Sequence, residues 1–235
     1  MHEETLGRLL HTLESVFGSR LLGLVMYGSS HSGEYHKGYS DINTMALVSG
    51  VTAGDIAAAG KELKWFFYHG NPAPLIFTKE ELDSFKDVFP IEMLDMVRQH
   101  TVIYGSDPLK DITIDKKNLK FQCESELKSK LIKIRQSLFT NSSNKSALHL
   151  MINSLSSFAA IFKGVLSLEG AEVPVHKKEV ILQTAQLTGF EPSPFLKILA
   201  VREKKDTLKK DEIFRTMEMY IEGITGVINF VARRA

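Results

Sequence analysis

After Asp115 the apolar residues of this chain recur only at helical spacing, whereas before it short apolar runs alternate with polar, Gly- and Ser-containing breaks. That change of period constrains the fold most. Leu127, Leu131, Ile134 and Leu138 step by 4, 3 and 4 residues, and Leu148, Ile152, Leu155, Phe162 and Leu166 continue the pattern beyond a Ser142-Ser143-Asn144 turn. Glu179–Leu187 reads as a further helix stopped by Gly189, Ser193-Pro194 opens another, and Ile213, Met217, Ile221, Ile224, Ile228 and Val231 define a last one. Residues 116–235 are therefore expected to be an all-α helical bundle.

Residues 1–115 carry the strand signals. Leu6, Leu9, Leu10, Leu13 and Phe17 mark an amphipathic helix over 2–18. Leu21–Tyr27 and Ile42–Val48 read as buried strands, separated by the polar, Gly/Ser-rich segment 28–40. Ala53–His69 is Ala-rich and helical, closed by Gly70-Asn71-Pro72. Leu75–Thr78 reads as a third strand, and Thr78 with Glu81 forms a capping box for a helix through Phe85. Ile91–Val97 and Thr101–Tyr104 complete the set as strands. The expected fold class is an α/β (α+β) domain, a mixed sheet with helices against one face, followed by the bundle.

Composition supports two parts. The 235 residues carry a formal charge of only +1, which excludes a uniformly basic coat for nucleic acid. Residues 1–115 hold 9 Lys/Arg against 16 Asp/Glu, and residues 116–235 hold 20 against 12, so near-neutrality is the sum of two opposed halves. The single cysteine, Cys123, cannot form an intrachain disulfide, which fits a reducing compartment. The N-terminus starts Met1-His2-Glu3-Glu4, without the basic and apolar regions of a signal peptide. The most apolar helical stretch, Leu148–Leu168, is interrupted by Asn153, several serines and Lys163. These features predict a cytoplasmic protein without a membrane span.

The window Leu24–Val48, LVMYGSSHSGEYHKGYSDINTMALV, carries the chemistry. A strand delivers Gly28-Ser29, and Asp41-Ile42-Asn43 follows at the head of the next strand, 13 residues after Gly28. Residues two apart on a strand point the same way, so Asp41 and Asn43 present two oxygen-bearing groups on one face. Backbone N–H groups where a strand turns into a helix bind phosphate oxygens, as do Ser29 and Ser30 hydroxyls. Lys37 lies in the intervening segment, within the range of a triphosphate. Phosphate donors beside a carboxylate suit a nucleoside triphosphate with Mg²⁺, a hard cation that prefers oxygen ligands.

This window resembles the nucleotidyltransferase superfamily that includes DNA polymerase beta, the aminoglycoside nucleotidyltransferases and the minimal nucleotidyltransferases. Gly28-Ser29, the loop glycine Gly33 and Ser40-Asp41-Ile42 carry the likeness. The stretch Asp87–Asp95, leading to Val102-Ile103-Tyr104-Gly105, is similar to members with a C-terminal helical bundle. The resemblance implies transfer of a nucleoside monophosphate from an NTP to an acceptor hydroxyl, with Mg²⁺ held by three carboxylates. Asp41 would be one, and Glu92 or Asp95 would be the third ligand or general base. The second position departs from the pattern, because Asn43 brings an oxygen but no charge. Leu75-Ile76-Phe77 carries no carboxylate either. On a strand, Glu92 and Asp95 would face opposite sides, and the alternation favours Glu92.

Each feature has a plainer reading: Gly28-Ser29 as a tight turn, Asp41 as a cap, Lys37 as a solvated lysine, Glu92 and Asp95 as surface acids. The lysines Lys116, Lys117, Lys120, Lys128, Lys130 and Lys133 would line an anion site or form a solvated helix face. The eight histidines have no metal-ligand spacing. His149 and His176 lack the Arg–x(4–6)–His pattern of a ribonuclease that accompanies some minimal nucleotidyltransferases. The expected activity is Mg²⁺-dependent nucleotidyl transfer to an unidentified acceptor, small molecule or protein. Nucleic acid is left open but is not indicated. The alternatives are a catalytically weakened nucleotide-binding sensor or interaction module, and modification of an aminoglycoside by a pocket lined with acids.

Overall fold

Leu21–Tyr27 and Asn43–Val48 are each apolar on both alternating faces, so a sheet built from them must be covered twice. The computed structural model, which describes residues 2–28 and 42–234, shows that covering. β1 (Leu21–Tyr27) pairs antiparallel with β2 (Asn43–Val48) and with β4 (His100–Gly105), and β2 pairs parallel with β3 (Leu75–Phe77), giving the mixed order β3-β2-β1-β4.

One face, carrying Leu24, Ala46 and Val48, packs on Leu6, Leu9, Leu13 and Phe17 of α1 (His2–Phe17). Leu63, the single residue between α2 (Ala53–Glu62) and α3 (Lys64–Tyr68), and Phe66 of α3 join this core. The other face, carrying Val25, Met45 and Leu47, packs on Leu82 of α4 (Lys79–Val88), on Met93 and Met96 of α5 (Pro90–Arg98), and on Leu109. The expectation of helices on one face is thereby corrected to both.

A second correction concerns Ile91–Val97. It is not a strand but the body of α5, with Pro90 in the first turn and Glu92 behind it. Proline at the first helical position, an acid in the first turn and unbranched Met and Leu all favour a helix, and they outweigh the short apolar run.

Local chemistry explains several joints. Arg20, in a 3-10 turn over Gly18–Arg20, grips both carboxylate oxygens of Asp55 at 2.8 Å. Asp55 also closes a capping box with Thr52 at the start of α2. The Thr78/Glu81 box opens α4. Gly105 ends β4 at φ +70, where a β-carbon would lie 2.1 Å from the Leu22 carbonyl oxygen, so only glycine fits.

The chain divides into two compact units, Met1–Ile114 and Asp115–Ala235. The second contains α6 (Lys116–Thr140), α7 (Asn144–Leu168), α8 (Lys177–Thr188), α9 (Ser193–Arg202) and α10 (Ile213–Ala232), with no strand among its described residues. Asp115 caps α6 by accepting from the Lys117 and Asn118 amides. Phe158, Phe162, Phe195 and Tyr220 are fully buried, and the Tyr220 hydroxyl lies 3.1 Å from Ser154 Oγ. Gly223 makes room for this cluster, since a β-carbon there would lie 2.6 Å from Phe195 Cε2. By length and composition, α7 alone among the described residues is apolar enough to cross a membrane. Within the bundle its apolar stripe is used as core, through Met151, Leu155, Phe158, Phe162 and Val165.

Candidate active site

The end of the sheet where β1 stops and β2 starts brings together Gly28 and Asn43, two of the residues singled out in the sequence. Gly28 follows β1 at φ +82, a left-handed conformation that favours glycine. Its amide donates to the Gln99 carbonyl at 3.0 Å, tying it to the segment between α5 and β4. A β-carbon at Gly28 would lie 3.6 Å from Asn43 Nδ2, so the Asn43 side chain is a direct neighbour of this turn.

The register builds a row around them. Tyr27 is opposite Asn43 on β2 and opposite His100 on β4. On β2, Met45 and Leu47 belong to the face covered by α4 and α5, and Asn43 has the same parity. Tyr27 packs against that core, and burial raises its phenol pKa. β3, the parallel neighbour of β2, pairs from Met45–Leu75 onward and consists of Leu75-Ile76-Phe77. It offers no ionisable side chain.

Acids come to this side of the sheet on α5. Three residues apart on a helix, Glu92 and Asp95 share a face, and the strand-based argument that separated them falls. Glu92 is exposed and Asp95 half-buried. Burial lowers the pKa of Arg98, one turn on, and the nearby Asp95 charge works in the opposite direction. Beyond α5, His100 Nδ1 lies 3.0 Å from the Met96 carbonyl oxygen, and Nε2 lies 3.2 Å from both Asp107 oxygens. Burial opposes ionisation of Asp107, but the Leu109 amide and His100 outweigh it and hold its carboxyl below the usual range.

Ser29, Ser30, Lys37 and Asp41, with the histidines His31 and His36, lie outside the described residues. Among the described residues no three His, Cys, Asp or Glu side chains gather to hold a metal. The Asn43 amide oxygen and the Glu92 and Asp95 carboxylates are oxygen donors, the type that Mg²⁺ prefers, and a neutral Asn43 brings less negative charge than an acid would. The lysine-rich face of α6 partly neutralises itself, because Lys128 pairs with Glu124 and Lys130 with Glu126 one turn apart.

Sequence reasoning missed two contributors, Asn71 and the His100–Asp107 pair. Asn71 accepts a hydrogen bond from the Ile42 amide at 2.9 Å across 29 residues of sequence. Its only local signal was the Gly-Asn-Pro helix stop.

A mixed four-stranded sheet with helices, followed by a helical region, is a fold that this chain shares with a solved adenyltransferase. Among solved structures, the chain is similar to spectinomycin adenyltransferase AAD(9) from Enterococcus faecialis, solved with ATP and spectinomycin. The match has a TM-score of 0.59 and 11% identity, and covers 94% of this chain and 98% of that one. At that identity the likeness establishes the fold alone. No protein-family model and no curated protein sequence matches the chain.

Proposed function

We propose that this chain binds a nucleoside triphosphate at the Gly28–Asn43 end of its sheet and transfers the nucleoside monophosphate to an acceptor hydroxyl. The observation that carries this reading is the left-handed Gly28 turn beside Asn43, on a fold shared with an adenyltransferase solved with ATP. Ser29 and Ser30 would hold phosphate oxygens, with the Gly28 turn leading the chain into them and Lys37 as a further cation. Asp41 and Asn43, with Glu92 or Asp95, would hold Mg²⁺, which neutralises triphosphate charge when bound.

In the transfer, the acceptor oxygen forms a bond to the α-phosphorus while the α–β bridging bond breaks and pyrophosphate leaves. The acceptor proton passes to the carboxylate of Glu92 or Asp95, which must come within about 3 Å of that hydroxyl. The shared helix face makes the two acids equal candidates, and single Gln and Asn variants separate them. The acceptor is a small molecule or a protein, and the antibiotic in the AAD(9) structure makes spectinomycin a first probe.

A second reading is nucleotide binding without turnover. The neutral Asn43 and the absence of a carboxylate on β3 favour this reading, since both reduce the negative charge available to a metal. The deciding assay follows pyrophosphate release from each NTP with Mg²⁺ and a panel of hydroxyl acceptors that includes spectinomycin. Release that falls at least about 100-fold in Asp41→Ala, or ~2.7 kcal/mol of barrier, supports transfer. Binding without release supports the sensor, and absence of binding removes both.

A further inference from the structure

Asn71 joins two elements that the sequence keeps far apart. Its Oδ1 accepts from the Ile42 amide at 2.9 Å, and its Nδ2 donates to the Phe66 carbonyl at 3.2 Å. Phe66 is fully buried in the core beneath the sheet, so one end of this bridge is fixed by packing. The other end is the amide of Ile42, the residue between the two site positions Asp41 and Asn43. That N–H leads directly into Asn43, so holding it holds the start of β2. Ile42 itself is buried in the α1-side core.

A strand end normally frays, because its last amides lack ladder partners. Here β2 starts only at Asn43, and the amide just ahead of it is satisfied by a side chain rather than by a neighbouring strand. Asn is suited to the task, since one planar amide offers an acceptor and a donor in fixed relation. Alanine removes both. Aspartate keeps the acceptor for Ile42 and loses the donor to Phe66.

We infer that Asn71 is a positioning residue for the nucleotide site, fixing the Ile42 backbone that leads into Asn43 by tying it to the Phe66 carbonyl of α3. This rests on the nucleotide-site reading given above. Asn71 touches no reacting atom. Its loss should act on the alignment of Asn43, and so on turnover more than on capture of the triphosphate.

The test uses the full chain as wild type, Asn71→Ala and Asn71→Asp. Calorimetry with ATP and Mg²⁺, amide exchange at Ile42 and thermal melting are measured on each, with pyrophosphate release wherever the wild type shows it. Asn71→Ala is expected to speed exchange of the Ile42 amide at least tenfold. It is also expected to lower kcat about tenfold with KM for ATP changed less than about threefold. If the wild type binds without turnover, the readout is an affinity loss of about threefold, recovered in Asn71→Asp. Asn71→Asp should recover most of the Ile42 protection and most of the functional loss even if its melting temperature is lower. That separates positioning from stability. Wild-type function in a folded Asn71→Ala overturns the inference while the nucleotide reading stands. So does an Asn71→Asp variant with a protected Ile42 amide and no functional recovery. A wild type that does not bind ATP overturns the nucleotide reading, and the inference with it.

Discussion

Asn43 and Gly28 are neighbours across the first two strands, with the Asn43 amide nitrogen 3.6 Å from where a β-carbon at position 28 would stand. That distance is ordinary van der Waals contact, so a methyl group at 28 has room. The obstacle is the backbone, since φ is +82. Gly28→Ala is therefore expected to destabilise the first unit by about 1–2 kcal/mol through left-handed strain. It should weaken NTP binding by altering the turn. Thermal melting and calorimetry on the same variant check both effects.

Asn43→Asp restores charge beside Asp41. Without a cation, two carboxylates two residues apart repel, and the variant should melt below wild type. With Mg²⁺ the order should reverse, with cation affinity increased about tenfold, or ~1.4 kcal/mol. Melting curves with and without Mg²⁺ measure this crossover. Equal curves would mean that position 43 does not face a cation.

Thr44, next along β2, points to the α1-side core, and its hydroxyl is buried without a hydrogen-bond partner among the described residues. Thr44→Val keeps the branched shape and removes the unsatisfied group. It should stabilise the protein by roughly 1 kcal/mol, since an unpaired buried hydroxyl costs about 1–3 kcal/mol. Denaturant unfolding reads this directly, and a neutral or destabilising result would mean that the hydroxyl is satisfied in solution.

The Arg20–Asp55 pair predicts a pH dependence. Arg20, then Thr52, hold the Asp55 carboxyl well below the usual range. A carboxylate with a depressed folded-state pKa contributes stability above its unfolded value, near ~3.9. That contribution is lost as pH falls from there through the lower folded value. The gap in melting temperature between wild type and Asp55→Asn should be constant near neutrality and shrink below about pH 4. A gap unchanged down to about pH 2 would contradict the pairing.

Much of this fold was legible because its signals are local. The Leu21–Tyr27 run, the Thr78/Glu81 box and the Gly189 stop each depend on residues within one turn or strand, and each falls where its pattern set it. Ile91–Val97 was misread because a short apolar run fits a buried strand and a helix equally. Pro90 and Glu92 held the deciding information at its start. Double covering of the sheet was also written in the unbroken apolar runs of β1 and β2. The candidate site was legible only in part. Gly28 beside Asn43 follows from two adjacent strands, but the Asn71–Ile42 bond depends on which strand becomes β2's outer neighbour. No local pattern encodes that choice.

The measurement that bears most directly on the central claim is calorimetric titration of the full chain with ATP, CTP, GTP and UTP, each with Mg²⁺, repeated on Asp41→Ala. Saturable binding of at least one nucleotide by wild type, weakened at least about tenfold (~1.4 kcal/mol) in a folded Asp41→Ala, is the predicted result. Heats of dilution alone from wild type, or equal affinity in the variant, would contradict a nucleotide site at this end of the sheet.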